Sequence, residues 1–110
     1  MTHTRAYSHY SQKAVALMGK AIQLHRKERR LTAQDLSDRV GISRTTLRKI
    51  ENGDMGCEVG LVFEVAALVG IKLFDTDSNM IDSRMSQLDD KIALLPKTIR
   101  ASLESIDDDF

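Results

Sequence analysis

The tripeptide Gly41-Ile42-Ser43 separates two apolar stripes, each only about two helical turns long, and so leaves little alternative to a tight turn between two packed helices. Before it, Thr32 suits an N-cap, because its hydroxyl can accept from the free N–H groups of a first turn. Asp35, three residues on, is a shorter stand-in for the Glu of a capping box. Ala33, Leu36 and Val40 then fall at helical spacing and form one buried stripe. Gly41 stands where a left-handed residue closes a helix without a Cβ clash. Ile42 can plug the core, Ser43 can cap the next helix, and that helix buries Leu47 and Ile50 and ends at Gly53.

With Leu47 and Ile50 turned inward, Arg44, Thr45, Arg48 and Lys49 fall mostly on the outer surface. Arg44 and Arg48 are four apart, so they share a face and repel each other. Such crowding is understandable where an anion sits between the cations, and the positive end of the helix dipole favours phosphate at the same place. A single Arg or Lys here would be an ordinary solvated residue; the constellation points to a nucleic-acid surface.

These residues resemble the lambda-repressor-like, or Xre, helix-turn-helix family, from about Met18 to about Phe74. The Gly-Ile-Ser turn, Leu47 and the ending Ile50-Glu51-Asn52-Gly53 carry the resemblance. It implies an all-α bundle of about five helices and a buried ion pair between Glu51 and Arg26. It also implies a DNA surface built from Gln34, Ser43, Arg44, Thr45, Thr46, Arg48, Lys49 and Asn52. Arg44 and Arg48 suit guanine edges, while Thr45 and Thr46 suit thymine methyls or phosphate. Lys49 and Asn52 suit the backbone, which gives register without sequence information. One departure stands out: the family usually has Gln directly after the cap of its first motif helix, where this chain has Ala33, with Gln34 one place later.

The 110 residues suit one domain with a small appendage, here divided into a DNA-binding part, 1–74, and an acidic C-terminal part, 75–110. The formal net charge of zero conceals an asymmetry. Residues 1–53 hold 11 Lys/Arg against 4 Asp/Glu, or +7; residues 54–110 hold 5 against 12, or −7, which together account for all 16 of each sign. A polyanion-binding region and an acidic region with a separate task, or a merely solubilising one, fit that split. No apolar run approaches the ~20 residues of a membrane span. Thr2 to Gln12 lack the apolar core of an export signal. The single cysteine, Cys57, allows no internal disulfide and fits a reducing compartment, so a cytoplasmic, nucleoid-associated chain is expected. There is no Gly-rich phosphate loop, nucleophile elbow or metal spacing, and neither an enzyme nor a cofactor is expected.

Around the motif, Ala14 to Arg30 predicts a helix with an apolar stripe of Leu17, Met18, Ala21, Ile22 and His25, preceded by a mobile segment holding His3 and His9. A further helix enters through Asp54-Met55-Gly56, presents Leu61, Val62, Val65, Ala66, Leu68 and Val69, and closes at Gly70. That face is broad enough for part of it to meet a second subunit. Ile71-Lys72-Leu73-Phe74 alternates: either a short strand paired with a twin at a dimer interface, or an extended loop with Leu73 and Phe74 packed on the bundle. In the tail, Ile81, Met85, Leu88, Ile92, Leu95, Ile99, Leu103 and Ile106 recur at spacings of 4, 3, 4, 3, 4, 4 and 3. Ser78 can cap this helix and Pro96 must interrupt it, which predicts helices over about 79–94 and 97–105. Their stripe needs its own bundle, a twin, or another protein.

Among Xre proteins the pattern resembles a HipB-type antitoxin, on Phe63-Glu64-Val65, the segment near 71–74 and the ending Asp107-Asp108-Asp109-Phe110. That resemblance implies a homodimeric repressor on a double-stranded operator, which also neutralises a HipA-like kinase toxin. The last four residues are then candidate partner contacts, an aromatic anchor steered by acids. A stand-alone repressor, or an adapter working through its acidic half, is the alternative.

Overall fold

The computed structural model describes residues 5–74 and 77–98, and the chain divides into two compact units, 1–75 and 76–110. Unit one holds four helices: α1 (His9–Glu28), α2 (Ala33–Val40), α3 (Arg44–Glu51) and α4 (Val59–Leu68). Unit two holds α5 (Ser78–Ala93). The fold is all-α, as expected.

Local chemistry sets the boundaries. Thr32 Oγ1 accepts from Asp35 N at 2.9 Å and Asp35 Oδ2 accepts from Thr32 N at 3.0 Å, a reciprocal capping box at the start of α2. Gly41 then takes φ +84°, and the N–H groups of Gly41 and Ile42 both donate to Ser37 O. Ser43 Oγ accepts from Thr46 N at 3.0 Å and opens α3.

One core joins the four helices: Ile22 of α1, Leu36 of α2, Leu47 and Ile50 of α3, and Val65, Ala66 and Val69 at the end of α4. α3 packs on α1 and α2, and α2 packs on α4. The α1–α3 approach is close enough to require Gly19, because a Cβ there would meet Glu51 O at 2.5 Å and Ile50 O at 2.7 Å.

Several expectations are corrected. α1 starts at His9, not near Ala14, because Ser8 Oγ accepts from Ser11 N at 3.1 Å and supplies the cap, so His9 is helical. Leu17 is exposed rather than core-facing, while His25 is half-buried with Nδ1 3.3 Å from Val69 O. Leu68 of the broad α4 face is exposed too. No strand occurs among the described residues. Gly70 takes φ +89°, Ile71 N donates back to Ala66 O, and Leu73 packs on the core, so 71–74 leaves the helix as a loop. Phe74 instead tilts against Phe63, ring centroids 6.2 Å apart. α5 is capped by Asp77, whose Oδ1 accepts from Met80 N at 2.9 Å; Ser78 is the first helical residue. The predicted second tail helix, about 97–105, falls almost wholly outside the described residues.

Candidate nucleic-acid interface

α3 is short, yet it is fixed at both ends and along its inner side. Leu47, Ile50 and Glu51 are buried, while Arg44, Thr45, Arg48, Lys49 and the C-cap Asn52 are exposed. At about 100° per residue, Thr45, Lys49 and Asn52 stand roughly opposite the buried side. Arg44 and Arg48 occupy one flank, and half-buried Thr46 the other. The exposed face thus carries three cations, Arg44, Arg48 and Lys49, without an acidic residue of α3 beside them.

The inner side is anchored by charge. Arg26 Nε donates to Glu51 Oε2 at 2.7 Å and Arg26 Nη2 to Glu51 Oε1 at 3.1 Å, a bidentate pair with both residues buried. The remaining terminal nitrogen, Nη1, donates to Leu31 O at 2.9 Å. One guanidinium therefore ties the last turn of α3 to α1 and to the loop leading into α2. The link to the Leu31 carbonyl was not anticipated; no side-chain pattern announces a backbone acceptor.

Two helix N-termini open on solvent. In α3 the Ser43 hydroxyl is engaged with Thr46, accepting from its N–H and donating to its Oγ1 at 3.0 Å. The N–H groups of Arg44 and Thr45 precede the first bonded amide of the helix and remain available to an anion. In α2 the same holds for Ala33 and Gln34. The Gln34 side chain is exposed and donates to Asp38 Oδ1 at 2.8 Å, so its amide is oriented along α2. Asp35 sits in that first turn with its carboxyl held below the usual carboxylate range, chiefly by the Thr32 backbone and hydroxyl bonds and further by Arg39. The Cys57 thiol is pushed up by burial and by nearby Asp54, which makes it a packing residue rather than a nucleophile. Among the described residues no group of His, Cys, Asp and Glu could hold a metal ion. No described helix is long and apolar enough to cross a membrane. Asp107, Asp108, Asp109 and Phe110 lie outside the described residues.

A capped helix, a left-handed glycine turn and a second helix with a cationic outer face define a protein that binds DNA through a helix-turn-helix. The helix-turn-helix family model, of the Xre-like kind, matches residues 22–74. An uncharacterised HTH-type transcriptional regulator of Methanocaldococcus jannaschii is 33% identical over 58 residues, which cover 53% of this chain and 88% of that protein. The chain belongs to the Xre-like helix-turn-helix family of DNA-binding transcription regulators.

Proposed function

We propose that the protein is an operator-binding repressor that acts as a homodimer, with one α3 per half-site about 34–36 Å apart. The observation that carries this reading is the exposed Arg44, Arg48 and Lys49 on a helix whose inner side is locked by the Arg26–Glu51 pair. Thr45 faces the groove floor, Arg44 and Arg48 lie beside it within reach of guanine edges, and Lys49 and Asn52 hold the phosphate backbone. The free N–H groups at the start of α2, beside Gln34, take a phosphate from the other side. The exposed Val59, Phe63 and Leu68 of α4 offer apolar surface for subunit contact.

The regulator is also proposed to be the antitoxin of a two-component toxin system. It would repress its own operon and bind a HipA-like kinase through the acidic segment after residue 75. Support comes from the resemblance of the whole pattern to HipB-type proteins and from the acidity of that segment, 4 Lys/Arg against 8 Asp/Glu over residues 76–110, or −4. Selection of bound sequences from a random DNA pool tests the first statement: a near-palindrome with half-sites one helical turn apart is expected, and binding without sequence preference would refute it. Co-expression with the neighbouring genes tests the second. A stoichiometric kinase-like partner is the expected product, and a clean homodimer without one would leave a stand-alone repressor.

A further inference from the structure

Helix α5 buries none of its residues, yet its apolar side chains are strictly ordered. Within α5, Ile81, Met85, Leu88 and Ile92 follow one another at spacings of 4, 3 and 4, Leu95 comes three residues later just past the C-cap Leu94, and each is exposed, from 37% at Ile81 to 65% at Leu95. That is the a/d repeat of a two-stranded coiled coil, with Ile81, Leu88 and Leu95 at d and Met85 and Ile92 at a. Ser83, Ser86, Gln87 and Asp90 occupy outer positions; Met80 and the C-cap Leu94 are the exposed apolar residues off the seam.

The flanking charges decide what covers the seam. The g positions hold Arg84 and Lys91, both basic; the e positions hold Asp82 and Asp89, both acidic. Against a parallel, in-register copy, Arg84 faces Asp89 of the other strand, and the symmetric contact repeats it. Lys91 meets no charge, because α5 ends at Ala93, before the e position that would face it. Asp77, one heptad before Arg84, would face Asp82, but its carboxylate is drawn into the cap of α5 by Met80 N at 2.9 Å. An antiparallel copy with the same seam fares worse: it places Arg84 against Lys91 and Asp82 against Asp89, like charges throughout. We propose that α5 pairs in parallel and in register with α5 of a second copy of this chain, making the acidic unit a dimerisation element. This deepens the dimeric-repressor reading and rests on it only for its consequence at the operator.

α5 spans 16 residues, about two heptads, so its pairing is concentration-dependent and charge-sensitive. Sedimentation equilibrium of the full chain tests it through two variants. Arg84→Glu sets an acid against Asp89 of the partner strand, and Asp89→Lys sets a base against Arg84. Each alone is expected to weaken dimerisation by about tenfold or more, and an equimolar mixture to restore it, because the mixed pair regains opposite charges at both contacts. Rescue on mixing excludes misfolding as the cause. Wild-type-like association of both variants, or a mixture no tighter than its components, would overturn the proposal. So would a wild-type chain that stays monomeric and engages α5 only with a co-expressed protein of another kind.

Orientation is read by Ser78→Cys in a Cys57→Ala background. A parallel pair sets the two substituted positions side by side and cross-links rapidly on oxidation; an antiparallel pair separates them by about 25 Å. A dimer that does not cross-link therefore overturns the parallel arrangement. Binding of the same chains to a single half-site does not require α5. Its loss would count against the nucleic-acid reading, and its retention with failed rescue against α5 pairing alone.

Discussion

The two units of this chain solve the same problem in opposite ways. Each has amphipathic helices, but unit one folds its apolar stripes onto one another, so that Ile22, Leu36, Val65, Ala66 and Val69 are fully buried. α5 has a cleaner period than any of them and buries nothing. Periodicity thus states that a helix has an apolar side; short connections of the kind at Gly41–Ser43 decide whether that side is satisfied within the chain. The charge follows the division: residues 1–75 hold 12 Lys/Arg against 8 Asp/Glu, and residues 76–110 hold 4 against 8.

If the contrast holds, the largest effect belongs to the buried pair. Arg26→Ala leaves the buried Glu51 carboxyl and the Leu31 carbonyl without the donor they share and should destabilise unit one by about 3–5 kcal/mol. Urea unfolding followed by circular dichroism measures it. Replacing both partners together, Arg26→Met with Glu51→Leu, should recover most of that loss. A double variant as unstable as the single would show that the pair contributes net stability.

The next comparison sets one leucine against another. Leu36→Ala, at a fully buried site, should cost about 2–5 kcal/mol through lost transfer energy and a residual cavity. Leu88→Ala, at an exposed site on α5, should leave the unfolding of unit one unchanged within about 0.5 kcal/mol and lower self-association instead. Equal costs in the same unfolding transition would mean that α5 belongs to the core of the first unit and would erase the distinction between the two.

Much of unit one is legible from residues alone because its signals are local. Thr32 with Asp35, Gly41 and Ser43 each act within one turn, so their cap and turn roles follow from neighbours only. The start of α1 is less legible: Ser8 competes with no apolar period on its C-terminal side, since Tyr10 and Leu17 are both exposed. Asp77 and Ser78 are adjacent and equally able to cap, and the backbone, not the composition, chooses Asp77. The alternation at 71–74 imitates a strand because Ile71 and Leu73 each reach the bundle from a loop, a case that period 2 does not distinguish. At the candidate interface, exposure of Arg44, Arg48 and Lys49 follows from where Leu47 and Ile50 must point. The Arg26–Glu51 contact joins residues 25 apart in sequence, and spacing alone gives no route to it; the family resemblance supplied the pair.

Within the interface, the flank and the outermost ridge of α3 should separate on DNA. Arg44→Ala should cost about 1–3 kcal/mol of binding and relax preference at one base position. Equal weakening on every sequence would move Arg44 to the phosphate contacts. Lys49→Ala tests the other ridge through the slope of log affinity against log salt, which should fall by about one if Lys49 neutralises a phosphate. An unchanged slope with altered base preference would place Lys49 on a base edge, as its outward position on α3 allows.

The smallest effect concerns acid. The Asp35 carboxyl is held below its usual range by the Thr32 backbone bond, then by the Thr32 hydroxyl bond, so the folded chain favours its ionised form. A depressed folded pKa contributes stability that is present above the unfolded value and lost as pH falls through the folded one. The start of α2 should therefore loosen only below about pH 4, the ordinary carboxylate range. Asp35→Asn removes the charge at every pH and should flatten this part of the acid transition, read as the amide exchange of Asp35 and Leu36 between pH 5 and about pH 3. The amide exchange of α5 over the same pH range should be the same in that variant as in the wild type, because Asp35 belongs to the other unit. A simultaneous flattening in α5 would mean that the two units do not unfold separately.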